Sequence, residues 1–177
     1  MKKLLIIVPV YNEEAVIAKV VNSLLKKKTK PLLGLSLDIL VVNDASTDTT
    51  EQILKDLNCN QIHLPTNLGI GGAVQAGYKF ANSYNFDYAV QLDGDGQHNF
   101  NEIKKLVKKA KTDDDDVVVG SRFLEKSYEY KFPLERKIGI MLSRWVLTFA
   151  SGQKIYDVTS GFRLCNSAAI ELFSKNY

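Results

Sequence analysis

Short, dense apolar runs alternate with stretches of helical period along this chain. Residues 4–8 are continuously apolar and rich in β-branched side chains, which predicts a strand covered on both faces, and Pro9 ends the run. From residue 13 to about 28 the apolar positions are 16, 17, 20, 21, 24 and 25, one face of a helix. Residues 31–35 read as a loop and 37–42 as a second buried strand, with one charge, Asp38, near its start. Asp48 followed by Glu51 has the spacing of an N-cap with its reciprocal partner, so helix is expected from there to about residue 57. A short strand over 61–64 and a glycine-rich turn, Asn67-Leu68-Gly69-Ile70-Gly71-Gly72, lead into a helix reaching about residue 84. Residues 87–92 form the next strand. Asn99 and Glu102 repeat the N-cap spacing before a helix to about residue 111, an acidic loop covers 113–116, and 117–119 is again a strand.

Beyond this point the pattern changes. Residues 126–131 are polar and aromatic and read as a loop, and 134–150 read as a helix whose second half is nearly all apolar around Trp145. That helix either packs on a core or lies on a membrane surface, with Arg144 and Trp145 at the interface. Asp157-Val158-Thr159-Ser160-Gly161-Phe162-Arg163 is a polar motif leading into a strand and a short final helix over 167–177.

Regular alternation of strand and helix predicts an α/β domain with a mainly parallel central sheet. In such sheets ligands bind outside the carboxyl ends of the strands. The polar motifs sit at those ends: Tyr11-Asn12-Glu13, Asn43-Asp44, Asp93-Gly94-Asp95 and Ser121-Arg122. The third carries the plainest chemistry. In extended backbone residues i and i+2 point to one side, so Asp93 and Asp95 converge, and the flanking glycines allow close approach. Two carboxylates this close repel and favour a cation between them, and hard oxygen ligands suit Mg or Mn carrying substrate phosphates. Taken alone, the same residues also fit a plain polar turn after a strand.

Composition narrows the class. A length of 177 residues suits one domain, and 45% hydrophobic with 24% charged residues is an ordinary globular balance. A net charge of +3 gives no reason to expect nucleic acid, and the Lys26-Lys27-Lys28-Thr29-Lys30 run reads as a solvated helix end. Cys59 and Cys165 are far apart and match no metal-ligand spacing, as expected of free thiols in a reducing compartment. No signal peptide or membrane-span pattern is seen, so a cytoplasmic domain is expected, with peripheral contact at the cytoplasmic face of the membrane left open.

Five segments occur in order: Val8-Pro9-Val10-Tyr11-Asn12-Glu13-Glu14, Val42-Asn43-Asp44-Ala45-Ser46-Thr47-Asp48, Leu92-Asp93-Gly94-Asp95-Gly96-Gln97-His98, Val119-Gly120-Ser121-Arg122 and the Asp157 to Arg163 motif. Together they resemble family 2 glycosyltransferases of the GT-A fold, a Rossmann-like fold for nucleotide-diphospho-sugars. The nearest branch is similar to polyprenyl-phosphate sugar transferases such as dolichol-phosphate mannose synthase. The resemblance implies a UDP- or GDP-linked sugar donor, a divalent cation (Mg or Mn), and inversion at the anomeric carbon. It implies that Pro9, Tyr11, Asn12 and Glu13 line the base and ribose pocket and that Asp44 accepts hydrogen bonds from the base. Asp93 and Asp95 match the family's DxD motif, with Gly94 beside the diphosphate. Asp95 and Gln97 would ligate the metal, and Asp93 would join them or bond the ribose or the donor sugar. Arg122 and Arg136 would hold the phosphate of a lipid acceptor.

Arg163 would touch phosphate or brace the site, or else form a structural ion pair. Asp157 is the candidate base should the acceptor be a saccharide hydroxyl. On this reading residues 1–122 form the nucleotide-sugar part and 123–177 the acceptor part of a single domain. Two features depart from the family pattern: the Asn67 to Gly72 loop has no lysine, and the chain ends fourteen residues after Arg163, as expected of a C-terminally truncated domain or of an unusually short member of the family. A nucleotide-sugar-binding domain without catalysis is the non-enzyme alternative. A calcium loop lacks its glycine and glutamate, and neither the P-loop signature nor the GxGxxG of a dinucleotide-binding fold is present.

Overall fold

The computed structural model describes residues 1–92, 100–120 and 160–177. The expected loop over 126–131 and helix over 134–150 lie outside these residues, as do Asp93, Gly94, Asp95, Gln97, Asn99, Arg122, Arg136 and Asp157. The chain runs β1 (Lys3–Val10), α1 (Ile17–Lys28), β2 (Ser36–Asn43), α2 (Thr50–Lys55), β3 (Asn60–His63), α3 (Gly69–Ser83), β4 (Tyr88–Gln91), α4 (Phe100–Asp113), β5 (Val117–Val119), β6 (Arg163–Asn166) and α5 (Ser167–Lys175). One six-stranded sheet has the order β3-β2-β1-β4-β6-β5. β1, β2, β3 and β4 pair in parallel, whereas β6 is antiparallel to both β4 and β5.

The apolar runs follow from this placement. Along β1, Leu4, Ile6 and Val8 enter one core with Ile17 and Val21 of α1, Leu54 of α2 and Ile103 and Val107 of α4. Leu5 and Ile7 enter the other with Val74 and Tyr78 of α3 and Ala169 and Ile170 of α5. With helices on both faces, every residue of the run is removed from water, so the two-residue period of a half-exposed strand is lost. α3 lies tight on the sheet: a Cβ at Gly77 would stand 2.4 Å from Ile7 Cγ2. On the same side, the buried Tyr78 hydroxyl lies 3.3 Å from Cys165 Sγ. Burial pushes the Cys165 thiol up to about 11 and raises the Tyr78 phenol as well, so both stay protonated at neutral pH.

Two local expectations change. The helical period from residue 13 holds, but regular α1 starts at Ile17, after a turn in which Val16 and Ile17 both donate to the Glu13 carbonyl. The Asp48–Glu51 capping box does not form: Thr49 is the N-cap, Asp48 Oδ1 accepts from Thr50 N at 2.9 Å, and Glu51 pairs with Lys55 at 3.0 Å. Glu14, from the neighbouring loop, takes the acceptor role instead. At the last helix, Asn166 is a working N-cap, accepting from Ala169 N at 3.0 Å.

Candidate nucleotide-binding site

The carboxyl ends of β1, β2 and β3 meet at one edge of the sheet, and the loops leaving them are laced together. Asn12 holds a left-handed backbone, φ 55°, a conformation asparagine tolerates better than most residues. Its amide nitrogen donates to Ser46 Oγ at 3.0 Å, and its Oδ1 accepts from Thr47 N at 2.8 Å. Glu13 N donates to Thr50 Oγ1 at 2.9 Å and Glu14 N to Asp48 Oδ2 at 3.2 Å. In return Glu14 Oε2 accepts from Thr49 N at 2.9 Å and Thr49 Oγ1 at 2.6 Å. Desolvation acts against the Asp48 carboxylate, but bonds from Thr50 and Glu14 outweigh it and hold Asp48 below the ordinary carboxylate range. Asp48 is thus ionised at neutral pH, and its share of the clasp is lost only as pH falls through that lowered value.

Asp44 sits at the centre of this edge and is 3% exposed. Its backbone N–H donates to Val10 O at 2.9 Å, which fixes it beside the end of β1. Its Oδ1 accepts from Leu68 N at 2.8 Å, and its carbonyl accepts from Asn67 Nδ2 at 3.3 Å. The glycine-rich turn before α3 is therefore folded down onto Asp44. Pro9 is buried in β1 beside Val42, Tyr11 is 47% exposed, and Glu13 is half-buried. Of the expected base-pocket residues, Pro9, Tyr11, Asn12, Glu13 and Asp44 come to this one edge. The Asn12 side chain is committed to Thr47, so its contribution is to shape the loop. The braces Glu14, Ser46, Thr47, Thr49, Thr50 and Leu68 went unread in the sequence. The one available signal was the density of hydroxyl and carboxylate groups over 46–51, side chains that bond readily to nearby backbone.

This lacing carries a measurable expectation. Glu14→Ala removes the acceptor for both Thr49 donors and should lower stability by about 1 kcal/mol, a fall of roughly 2–4 °C in melting temperature. An unchanged melting curve would show that the Glu14 contacts are not made in solution.

On the other side of β1, β4 reaches the same edge through Gln91 and Leu92, with Leu92 N donating to Ile7 O at 2.9 Å. Asp93 is covalently next. β6 starts there: Val90 pairs with Leu164, so Gln91 lies beside Arg163. Both side chains fall on the α3 and α5 side of the sheet, in step with Ala89 and Cys165. Arg163 Nη2 donates to Ser160 O at 3.1 Å, and its Nε is buried without a partner. Among the described residues Arg163 makes no ion pair with a carboxylate, so its visible contact braces the loop before β6. Ser160 Oγ donates to Gly120 O at 2.7 Å and Gly120 N donates to Phe162 O at 2.8 Å. A Cβ at Gly120 would stand 2.3 Å from the Phe162 ring, so this crossing requires glycine.

No group of three or more His, Cys, Asp or Glu side chains is placed to hold a metal among the described residues. The candidate donors, Asp93, Asp95 and Gln97, lie outside them. Two carboxylates and an amide oxygen are hard oxygen donors, which is the set Mg or Mn takes.

The sequence profile described as "Glycosyl transferase family 2" matches residues 5–173. The chain belongs to this family. Its architecture is the GT-A fold: it resembles the solved glucosyl-3-phosphoglycerate synthase from Mycobacterium tuberculosis, crystallised with Mn2+, UDP and glucosyl-3-phosphoglycerate, at TM-score 0.69 and 18% identity, over 94% of this chain and 57% of that one. Among curated relatives of this family 2 chain is the UDP-N-acetylglucosamine–dolichyl-phosphate N-acetylglucosaminyltransferase of Methanococcus voltae, 31% identical over 98% of this chain and 73% of the relative. Another is the undecaprenyl-phosphate mannosyltransferase of Micrococcus luteus, 31% identical over 71% of this chain and 53% of the relative. The chain therefore spans between about half and three-quarters of these relatives' lengths. Among the described residues no helix is long and apolar enough to cross a membrane.

Proposed function

We propose that this family 2 glycosyltransferase moves a sugar, with inversion, from a nucleotide-diphosphate sugar to a polyprenyl phosphate. The observation that carries the donor half is the edge built by β1, β2 and β3, where the Asp44 carboxylate is pinned by Leu68 N–H and the Asp44 backbone is bonded to Val10, the residue before the exposed Tyr11. A carboxylate accepts base N–H donors, and a phenol ring offers a stacking face. The acceptor half rests on the curated relatives named for dolichyl and undecaprenyl phosphates.

In this reading a phosphate oxygen of the acceptor attacks the anomeric carbon from the side opposite the diphosphate. A carbon–oxygen bond forms as the bond to the nucleotide diphosphate breaks, and the leaving diphosphate keeps the electron pair. Asp93, Asp95 and Gln97 would hold a divalent cation, which would supply positive charge for the leaving diphosphate. Arg122 and Arg136 hold the acceptor phosphate with their guanidinium forks. Because a phosphate acceptor is already anionic near neutral pH, no general base is required and Asp157 has no proton to take. Residues 1–122 bind the donor, with Arg122 at their end reaching across to the acceptor phosphate, and 123–177 form the rest of the acceptor side, at a membrane surface where a lipid phosphate is presented.

The test is calorimetry with UDP and GDP, with and without Mn, followed by transfer to a short-chain polyprenyl phosphate. Metal-dependent nucleotide binding and a lipid-linked sugar product are expected; absence of either overturns the corresponding half. Arg122→Ala should raise the apparent KM for the lipid phosphate by about 10- to 100-fold, the worth of a charge-assisted contact, with donor affinity unchanged. An unaltered acceptor KM would remove Arg122 from the phosphate site.

A further inference from the structure

A relay of side-chain hydrogen bonds runs from the end of α2 to the donor edge, and backbone groups fix its direction at both ends. We propose that His63 is a positioning residue for nucleotide binding: as the neutral imidazole protonated at Nε2 it holds Asn43 and, through Asn43, the Ser46 turn behind the Tyr11 loop, and the imidazolium releases that hold. This rests on the donor edge assigned above and names the residue that steadies it from behind.

Gln61 and His63 stand two residues apart on β3 and so share one side of the strand. Gln61 Nε2 donates to Leu54 O at 2.6 Å and to Leu57 O at 3.1 Å. The reverse amide orientation would set an oxygen against two carbonyl oxygens, so Oε1 is the atom turned toward His63. An amide oxygen only accepts, so His63 Nε2, 3.2 Å away, carries the proton. At the other end Ser46 N donates to Asn43 Oδ1 at 3.1 Å. Asn43 therefore turns its amino group to His63, and Nδ1, at 3.3 Å, is the acceptor. The neutral ring protonated at Nε2 satisfies both contacts. The other neutral tautomer fails at both, and the imidazolium sets two donors against each other at Nδ1.

Asn43 cannot turn away to water, because it is 1% exposed. When the ring gains a proton, Asn43 must give up either His63 or Ser46. Ser46 Oγ in turn accepts from Asn12 N at 3.0 Å, so the loop carrying Tyr11 is tied to the same turn, and Asp44 directly follows Asn43. His63 itself is exposed and exchanges protons freely. Charged neighbours are few. From α2, Glu51 lies within electrostatic reach of His63 and favours the imidazolium, but it is bonded to Lys55 at 3.0 Å, which offsets that pull. On β2's side, Asp44 has its Oδ1 on Leu68 N–H, and residues 64–69 carry no titratable group.

Proton–nitrogen correlation NMR of the imidazoles, with His63→Gln assigning the signals, tests the tautomer directly. Near neutral pH the Nε2-protonated form is expected, and the Nδ1-protonated form would overturn the proposal. Calorimetry with UDP and with GDP, in Mn, then compares the whole chain with His63→Gln between about pH 8 and about pH 5.5, the range in which imidazole takes up a proton. Glutamine can accept from Asn43 at any pH, and the comparison cancels the titration of phosphates and carboxylates. Relative to His63→Gln, the affinity of the unmodified chain should fall by about tenfold across that range, the worth of one buried bond given up. A ratio that stays constant while nucleotide still binds overturns the role of His63 and leaves the donor edge intact. No binding of either nucleotide at any pH overturns both. Asn43→Asp presents an acceptor to Nδ1, so the imidazolium becomes the fitting form and His63 should keep its proton to higher pH than in the unmodified chain. An unchanged His63 titration in the folded variant would show that Asn43 does not sense the ring.

Discussion

Asp95→Ala is expected to lower sugar transfer by roughly 100- to 1,000-fold or more, the largest functional effect of any single substitution proposed for this chain. In the proposed reaction the departing nucleotide diphosphate gathers negative charge as the anomeric bond stretches, charge that a cation held by Asp95 would stabilise. Removing that carboxylate would weaken cation binding without touching the base edge. Nucleotide affinity in the absence of metal should therefore stay where it was, while the gain in affinity on adding Mn disappears. Stability without metal should not fall, because relieving repulsion between Asp93 and Asp95 favours the folded chain. Undiminished Mn dependence in Asp95→Ala would place the cation on other residues.

The largest stability effect is expected at Gly77. In mid-helix, glycine costs about 1 kcal/mol relative to alanine, so propensity alone would make any replacement stabilising. Packing reverses the sign. A Cβ there would lie 2.4 Å from Ile7 Cγ2 and 3.0 Å from Ile7 Cδ1. Ile7 is fully buried on β1, which pairs with β2 on one side and β4 on the other, so neither the side chain nor the strand has room to retreat. Gly77→Val should cost about 3 kcal/mol, a fall of roughly 6–12 °C in melting temperature. Combining it with Ile7→Ala should recover part of that loss, because the two positions are in direct contact and their effects are coupled. A stabilised Gly77→Val would mean that α3 sits further from the sheet.

These two predictions rest on different kinds of legibility. The strands were readable because helices cover both faces of β1 and β2, and burial on two sides writes itself as an unbroken apolar run. Placing Tyr11-Asn12-Glu13 and Asn43-Asp44 at strand ends was readable for the same reason, since the run must stop where the polar loop begins. The antiparallel direction of β6 was not, because Arg163-Leu164-Cys165-Asn166 has the same composition whichever way it runs. The true start of α1 at Ile17 and the failed Asp48–Glu51 box were hidden too. Both depend on Glu13 and Glu14 bonding across to Thr49, Thr50 and Asp48, contacts more than thirty residues apart in sequence. Local propensity holds no record of such partners. The family pattern implies Asp44 as a base acceptor, but its bond to Leu68 becomes visible only when the glycine-rich turn is seen folded over it.

The antiparallel entry of β6 has a consequence for how such a protein can diversify. Because β5 leaves and β6 enters at the same edge, Gly120 and Ser160 stand within one hydrogen bond of each other. Everything between them is spliced into the sheet at a single point. The entropy of closing a loop grows only slowly with its length, so residues could be gained, lost or exchanged in that interval at small cost to the sheet. The interval between them holds Arg122 and Arg136, the residues proposed for the acceptor phosphate, so a change of acceptor could be made there with Gly120 and Ser160 marking the seam.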